Sequence, residues 1–152
     1  MSLLKTALKA NGTAVAAAGD SSGNAFIKHI WESEISTVLE SAQIRDTADH
    51  YGALVNLNNW GTFSLRVANT LKDADGNNIS CHAKVQFDQY NTSYNVKDAS
   101  GQNINIELPY GYIIITPEDY PFFNYLASLH LMVAADVIPT SGTIEIVAVK
   151  KR

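Results

Sequence analysis

At 152 residues the chain is of single-domain size, and 46% hydrophobic against 17% charged residues excludes wholesale disorder. The longest uncharged run near the N-terminus, Ala10 to Gly19, is too short to span a bilayer and too weakly apolar for a signal-peptide core. Eleven basic against fifteen acidic residues leave a net charge of −4, and three of the basic ones sit together at Lys150, Lys151 and Arg152, so the rest of the chain is more acidic still and repels phosphate backbones.

From Met1 to Asn24 the residues are mostly small, with Leu3, Leu4, Leu8 and Val15 as apolar anchors. Such side chains bury too little area to offset a backbone ordering cost of roughly 1 to 2 kcal/mol per residue. Residues 1–24 are therefore predicted to be an extended arm, ordered by a neighbouring subunit or a larger particle, or else packed back on its own domain. Residues 25–152 are predicted to form a single β-rich domain. Over Ala25 to Ala42, Ile27, Ile30, Trp31, Ile35, Val38 and Ala42 recur near every third or fourth position, which predicts a short helix. The β-branched Ile35, Thr37, Val38 and Ile44 predict a strand following it.

Beyond residue 50 the pattern has a period of two: Ala53, Val55, Leu57; Phe63, Leu65, Val67; Cys81, Ala83, Val85, Phe87; Ile104, Ile106, Leu108. These are strands of a half-buried antiparallel sheet, with Ser64, Arg66, His82, Lys84, Gln86, Asn105 and Glu107 facing outward. Tyr112–Thr116 and Leu129–Val133 are apolar on both faces, and Thr143–Val149 is predicted to pair with the latter across Pro139-Thr140-Ser141-Gly142. Thr116-Pro117-Glu118-Asp119 has the signature of a helix start. Two turns share nearly the same words, Lys72-Asp73-Ala74-Asp75-Gly76-Asn77-Asn78-Ile79 and Lys97-Asp98-Ala99-Ser100-Gly101-Gln102-Asn103-Ile104. In each, Asp starts the turn and Gly takes the positive φ. The expected class is mainly β, an antiparallel sandwich, jelly roll or small barrel with at most one or two short helices.

Candidate chemistry is sparse. Gly19-Asp20-Ser21-Ser22-Gly23 has the letters of a nucleophile elbow without the strand and helix that would present the serine, and reads as a hinge. Asp73, Asp75 and Asn77 match the first places of a calcium loop, but Asn78 and Lys84 stand where Gly and a bidentate acid are required, so a turn is the better reading. Cys81 and His82 are adjacent and, in a strand, point to opposite faces. The lone cysteine cannot make an internal disulfide, which suits a reducing compartment. His29, His50 and His130 are scattered, with Asp49 beside His50. Tyr90, Tyr94, Tyr110, Tyr112, Tyr120 and Tyr125, with Trp31, Trp60, Phe122 and Phe123, could line a sugar-binding face or serve as core and interface. No catalytic residue, metal site or cofactor is assigned, and neither nucleic acid nor a membrane is expected as a partner.

The small-residue N-terminal stretch, the segment Phe63-Ser64-Leu65-Arg66-Val67-Ala68-Asn69 and the closing strands around Pro139-Thr140-Ser141-Gly142 ending in Lys-Lys-Arg resemble small virion proteins of tailed bacteriophages, of the capsid decoration, cement or head-fibre type. The resemblance implies a non-enzymatic protein, made in the host cytoplasm and carried on the outer capsid surface. It further implies a homo-oligomer, with a trimer as the working assumption, bound to the major capsid protein. Leu3, Leu4, Leu8 and Val15 would anchor the arm, and Phe26, Ile27, Ile30 and Trp31 would dock it to the body or a neighbour. The alternative is a carbohydrate- or receptor-binding β-sandwich of a phage tail or other surface.

Overall fold

The structure, a computed structural model, describes the backbone of residues 7–10, 13–19 and 25–28 and the whole of residues 33–152. The chain divides into two compact units, one of residues 1–33 with Arg152 and one of residues 34–151. In the first, β1 (Ala7–Ala10), β2 (Thr13–Gly19) and β3 (Ala25–Lys28) form a three-stranded antiparallel sheet in that order. Leu8 lies opposite Val15, and Phe26 and Ile27 lie opposite Ala18 and Ala17. The division between the units thus falls nine residues later than the boundary placed after residue 24. The helix expected from Ala25 is replaced by strands at β3 and at β4 (Ser33–Ala42). The β-branched side chains of β4 are stiff at χ1 and fit a pleated surface better than a helical turn, and this outweighs the helical spacing.

The second unit holds two antiparallel sheets. The larger has the order β10 (Asn105–Leu108), β8 (Cys81–Gln89), β12 (Ser128–Ala135) and β5 (His50–Tyr51), with β9 (Thr92–Asn95) paired to β8 and β6 (Val55–Asn56) to β12. The smaller runs β11 (Gly111–Ile115), β7 (Thr62–Asn69), β13 (Ile144–Lys151) and β4. The expected pairing of Leu129–Val133 with Thr143–Val149 does not form. β12 pairs β8 with Val133 opposite Ala83, and β13 pairs β7 with Ile146 opposite Val67. The connection between them carries the chain across to the other sheet and is tied to Lys72, whose N–H donates to Ser141 O at 3.0 Å and whose carbonyl accepts from Thr140 N–H at 2.8 Å. Gly142 makes this crossing possible: its φ is +79°, and a Cβ there would overlap the Thr70 carbonyl.

The sheets curl toward each other as a half-barrel. On one side residues 52 and 53 bridge them, with Gly52 N–H donating to Leu131 O at 2.8 Å and Ala53 N–H to Val38 O at 2.6 Å. On the other side the bridge is Asn69, fully buried at the end of β7. Its amide nitrogen donates to Ile79 O at 2.9 Å and Leu108 O at 3.1 Å, and its oxygen accepts from Leu71 N–H at 3.0 Å. Between the sheets lie the alternating residues read from the sequence, among them Val55, Leu65, Val67, Cys81, Ala83, Val85, Ile106 and Leu108, joined by Leu129, Leu131, Ile144, Ile146 and Ala148.

The two Asp turns are the same structure offset by 25 residues. In each, the aspartate carboxylate accepts two backbone N–H groups, of Asp75 and Asn77 in the first and of Ser100 and Gln102 in the second. The glycines have φ of +81° and +83°. Each turn is closed by an isoleucine N–H, from Ile79 to Leu71 O and from Ile104 to Val96 O. Their settings differ. The first lies on the crossing between sheets, whereas the second is a detour between β9 and β10, which follow one another along the same edge of β8. The helix start read at Thr116 is a single turn in which Asp119 and Tyr120 N–H groups donate to Thr116 O, and the 3-10 helix itself begins at Pro121 and ends at Tyr125. It sets Phe123 edge-on to Phe63 with ring centroids 5.0 Å apart.

Candidate functional site

The residues assigned to partner binding fall mainly in the first unit. Leu8 and Val15 are cross-strand neighbours, Phe26 and Ile27 are consecutive in β3, and Leu3, Leu4, Ile30 and Trp31 lie outside the described residues, as do Ser21 and Gly23, whereas Gly19 ends β2. Among the described side chains, the groups able to do chemistry gather on or beside the larger sheet. His82 Nδ1 lies 2.7 Å from Asp136, His130 Nε2 3.2 Å from Asp88, and His50 Nε2 2.7 Å from Asp46. Asp49, the sequence neighbour of His50, instead accepts from Lys84 Nζ at 2.8 Å.

Register explains the arrangement. His82, Lys84 and Gln86 alternate with the buried Cys81, Ala83 and Val85 and make the outer face of β8 polar; on β12 His130 stands opposite Gln86, whereas Met132 and Ala134 stand opposite Lys84 and His82. Each imidazole is engaged by its own carboxylate at a separate place, and no group of three His, Cys, Asp or Glu among the described residues converges on a common point. Asp46 is held below the usual carboxylate range by His50 and then by the Ala48 N–H, and Asp88 by the Ser93 hydroxyl and then by His130. Cys81 faces the core, where burial and the nearby Asp136 push its thiol up to about 12, leaving almost no thiolate at neutral pH.

Asp73 is lowered chiefly by the Asn77 amide and Asp98 chiefly by the Ser100 hydroxyl. Asp73 turns both carboxylate oxygens onto its own loop, one accepting the backbone N–H groups and the other the Asn77 amide at 3.0 Å, which supports the turn over the calcium reading. Lys150, read from the sequence as part of a basic tail, is 3% exposed in β13. Its ammonium lies 2.6 Å from Glu34, donates to Asn56 O at 3.2 Å and sits 5.1 Å from the Trp60 ring centre. The tail reading missed that Lys150 continues the inward row of Ile146 and Ala148.

At the same end, Thr62, Phe63 and Ser64 of β7, Thr116 to Glu118, Asn124, Val149 and Lys151 line an open cleft of about 490 Å³. Apolar and polar walls meet there, with Glu118 and Lys151 supplying charges of opposite sign. The exposed tyrosines do not form one platform among the described residues. Tyr90 is at the β8–β9 turn, Tyr125 ends the 3-10 helix, Tyr112 is on the smaller sheet, and Tyr110 lies 5.9 Å from the Lys72 ammonium. Tyr112, named from the sequence as a face or interface aromatic, is exposed on β11 together with Ile114, which sequence reasoning did not single out although the run of apolar residues on both faces was the available signal.

No family model and no curated protein matches the chain. Its fold is similar to that of the solved SPBc2 prophage-derived protein YomS, with a TM-score of 0.50 and 13% identity over 84% of this chain and 99% of that one. At this identity the likeness is one of fold. No helix among the described residues is long and apolar enough to cross a membrane.

Proposed function

We propose that the protein is a non-enzymatic structural component of a bacteriophage particle, and more specifically a decoration protein held on the outer surface of the capsid. The observation that carries the reading is the fold match, which takes in nearly the whole of a prophage-derived protein. The composition supports it as well: a barrel-like body stabilised by packing is joined to a separate unit built from small residues with a few apolar anchors. In this reading the first unit, through Leu8, Val15, Phe26 and Ile27, contacts the major capsid protein, and the body is the rigid platform. Many weak engagements on one particle add up to strong retention, because each further engagement is intramolecular.

The test is co-sedimentation with capsids of the phage that encodes the chain. The full chain is expected to pellet with them, and a chain lacking residues 2–24 to stay in the supernatant. Equal pelleting of both would remove residues 2–24, and with them Leu8 and Val15, from the binding role, and failure of the full chain to pellet would overturn the capsid assignment.

A further inference from the structure

The four sheet edges of the second unit are treated differently. The edge formed by β9 and β10 is interrupted by the Asp98 turn and carries Glu107. β5 and β6 are two residues each, separated by Gly52 to Leu54. β4 carries Glu34 and Glu40 and accepts a hydrogen bond from Ala53. Charges, interruptions, short lengths and cover are the devices by which proteins keep sheet edges from pairing with other chains. β11 has none of them beyond a length of five residues. It reads Gly-Tyr-Ile-Ile-Ile, uninterrupted and uncharged, and pairs only β7 among the described strands. Its outward side chains are unprotected too, with Tyr112 64% and Ile114 54% exposed.

We propose that the free edge of β11 pairs with β11 of a second copy of this chain, antiparallel about a two-fold axis at Ile113. The sequence of the strand favours this occupant. Pairing about Ile113 sets Tyr112 opposite the second copy's Ile114 and Gly111 opposite its Ile115, so every cross-strand pair is free of charge. The arrangement works whichever residues of β11 turn their N–H and C=O groups outward, since an antiparallel two-fold can pass through either kind of pair. Both partners carry the same net charge of −4, which opposes association, yet the junction brings no like charges face to face. The nearest outward charge, Arg66, stands one strand in from the edge opposite Ile114, and beyond it Val147 continues the row. The result is one continuous sheet of eight strands made from two four-stranded sheets. A ladder this short gives a weak dimer, with a Kd on the order of 10 to 100 μM.

The proposal does not depend on the capsid role. Equilibrium sedimentation of the full chain is expected to show a monomer–dimer equilibrium that Ile114→Lys weakens by at least about tenfold, since an edge lysine is a natural block to strand pairing. Circular dichroism of the variant checks that its sheet content is kept. Register is tested separately by mixing Tyr112→Cys with Ile114→Cys protein under mild oxidation. The mixture is expected to yield a heterodimeric disulfide far faster than either variant alone, and the wild type, whose only thiol is the buried Cys81, is expected to yield none. A chain that remains monomeric at about 0.1 mM overturns the proposal. So does a trimer, a dimer indifferent to Ile114→Lys, or crosslinking in which each variant alone is as efficient as the mixture.

Discussion

Strands β11 and β12 read alike in sequence, apolar on both faces, and end in opposite circumstances. β12 lies inside its sheet, flanked by β8 on one side and by β5 and β6 on the other, so even its outward Met132 is covered, with Lys84 and Tyr51 on either side of it in register. β11 is an edge, and its outward Tyr112 and Ile114 face solvent. The same pattern of residues therefore means core in one strand and contact surface in the other, and what separates them is the number of neighbouring strands. That number is set by topology, which hydrophobic periodicity does not encode.

The largest expected effect comes from Leu131→Ala in β12. The side chain is fully buried, so the loss is about 2–5 kcal/mol in denaturant unfolding, and a value under about 1 kcal/mol would put β12 outside the core. Asn69→Ala removes the amide that ties β7 to the segments leading into β8 and β11, leaving two carbonyls and one N–H without that partner; a loss of about 2–3 kcal/mol is expected in the same assay. Met132→Ala sharpens the comparison, because Met132 faces outward as Ile114 does but is covered. It is expected to cost about 2 kcal/mol, whereas Ile114→Ala stays within about 0.5 kcal/mol, and equal costs would erase the distinction between the strands.

The smallest effect is electrostatic. Asp46, Asp73, Asp88 and Asp98 are held below their ordinary value of 3.8 in the folded chain, so the stability they contribute is fully present well above that value and is lost as pH falls through the lower folded values. Unfolding followed from pH 6 to pH 2 is expected to show declining stability that begins near pH 4, and Asp98→Asn is expected to flatten part of that decline.

Period-two alternation made most of the body legible, because a strand with one buried face writes its burial directly into residue order: Phe63, Leu65 and Val67 point inward as read. The Asp turns were equally legible, since their chemistry is local to five or six residues. Long-range partnership was not. Nothing in Thr143–Val149 announces that it joins β7, and the choice follows from how Gly142 lets the chain pass Thr70. The surroundings of His50 were hidden for a related reason: Asp49, its neighbour in sequence, reaches Lys84, and the imidazole finds Asp46 four residues back. On the candidate site, the pairing of Leu8 with Val15 gathers two of the chosen anchors, but the edge of β11 could be recognised only once its missing neighbour was known.

The detour between Val96 and Ile104 has a practical consequence. Because the chain leaves and rejoins the same line along β8, its length is uncoupled from the phase of the strands on either side, and foreign peptides could be spliced in at Ala99 and Ser100 without shifting a single residue of the sheet. Its twin at residues 72–78 offers no such freedom, being bolted to Thr140 and Ser141. Of two nearly identical loops, one is a port for displayed cargo and the other a structural fastener.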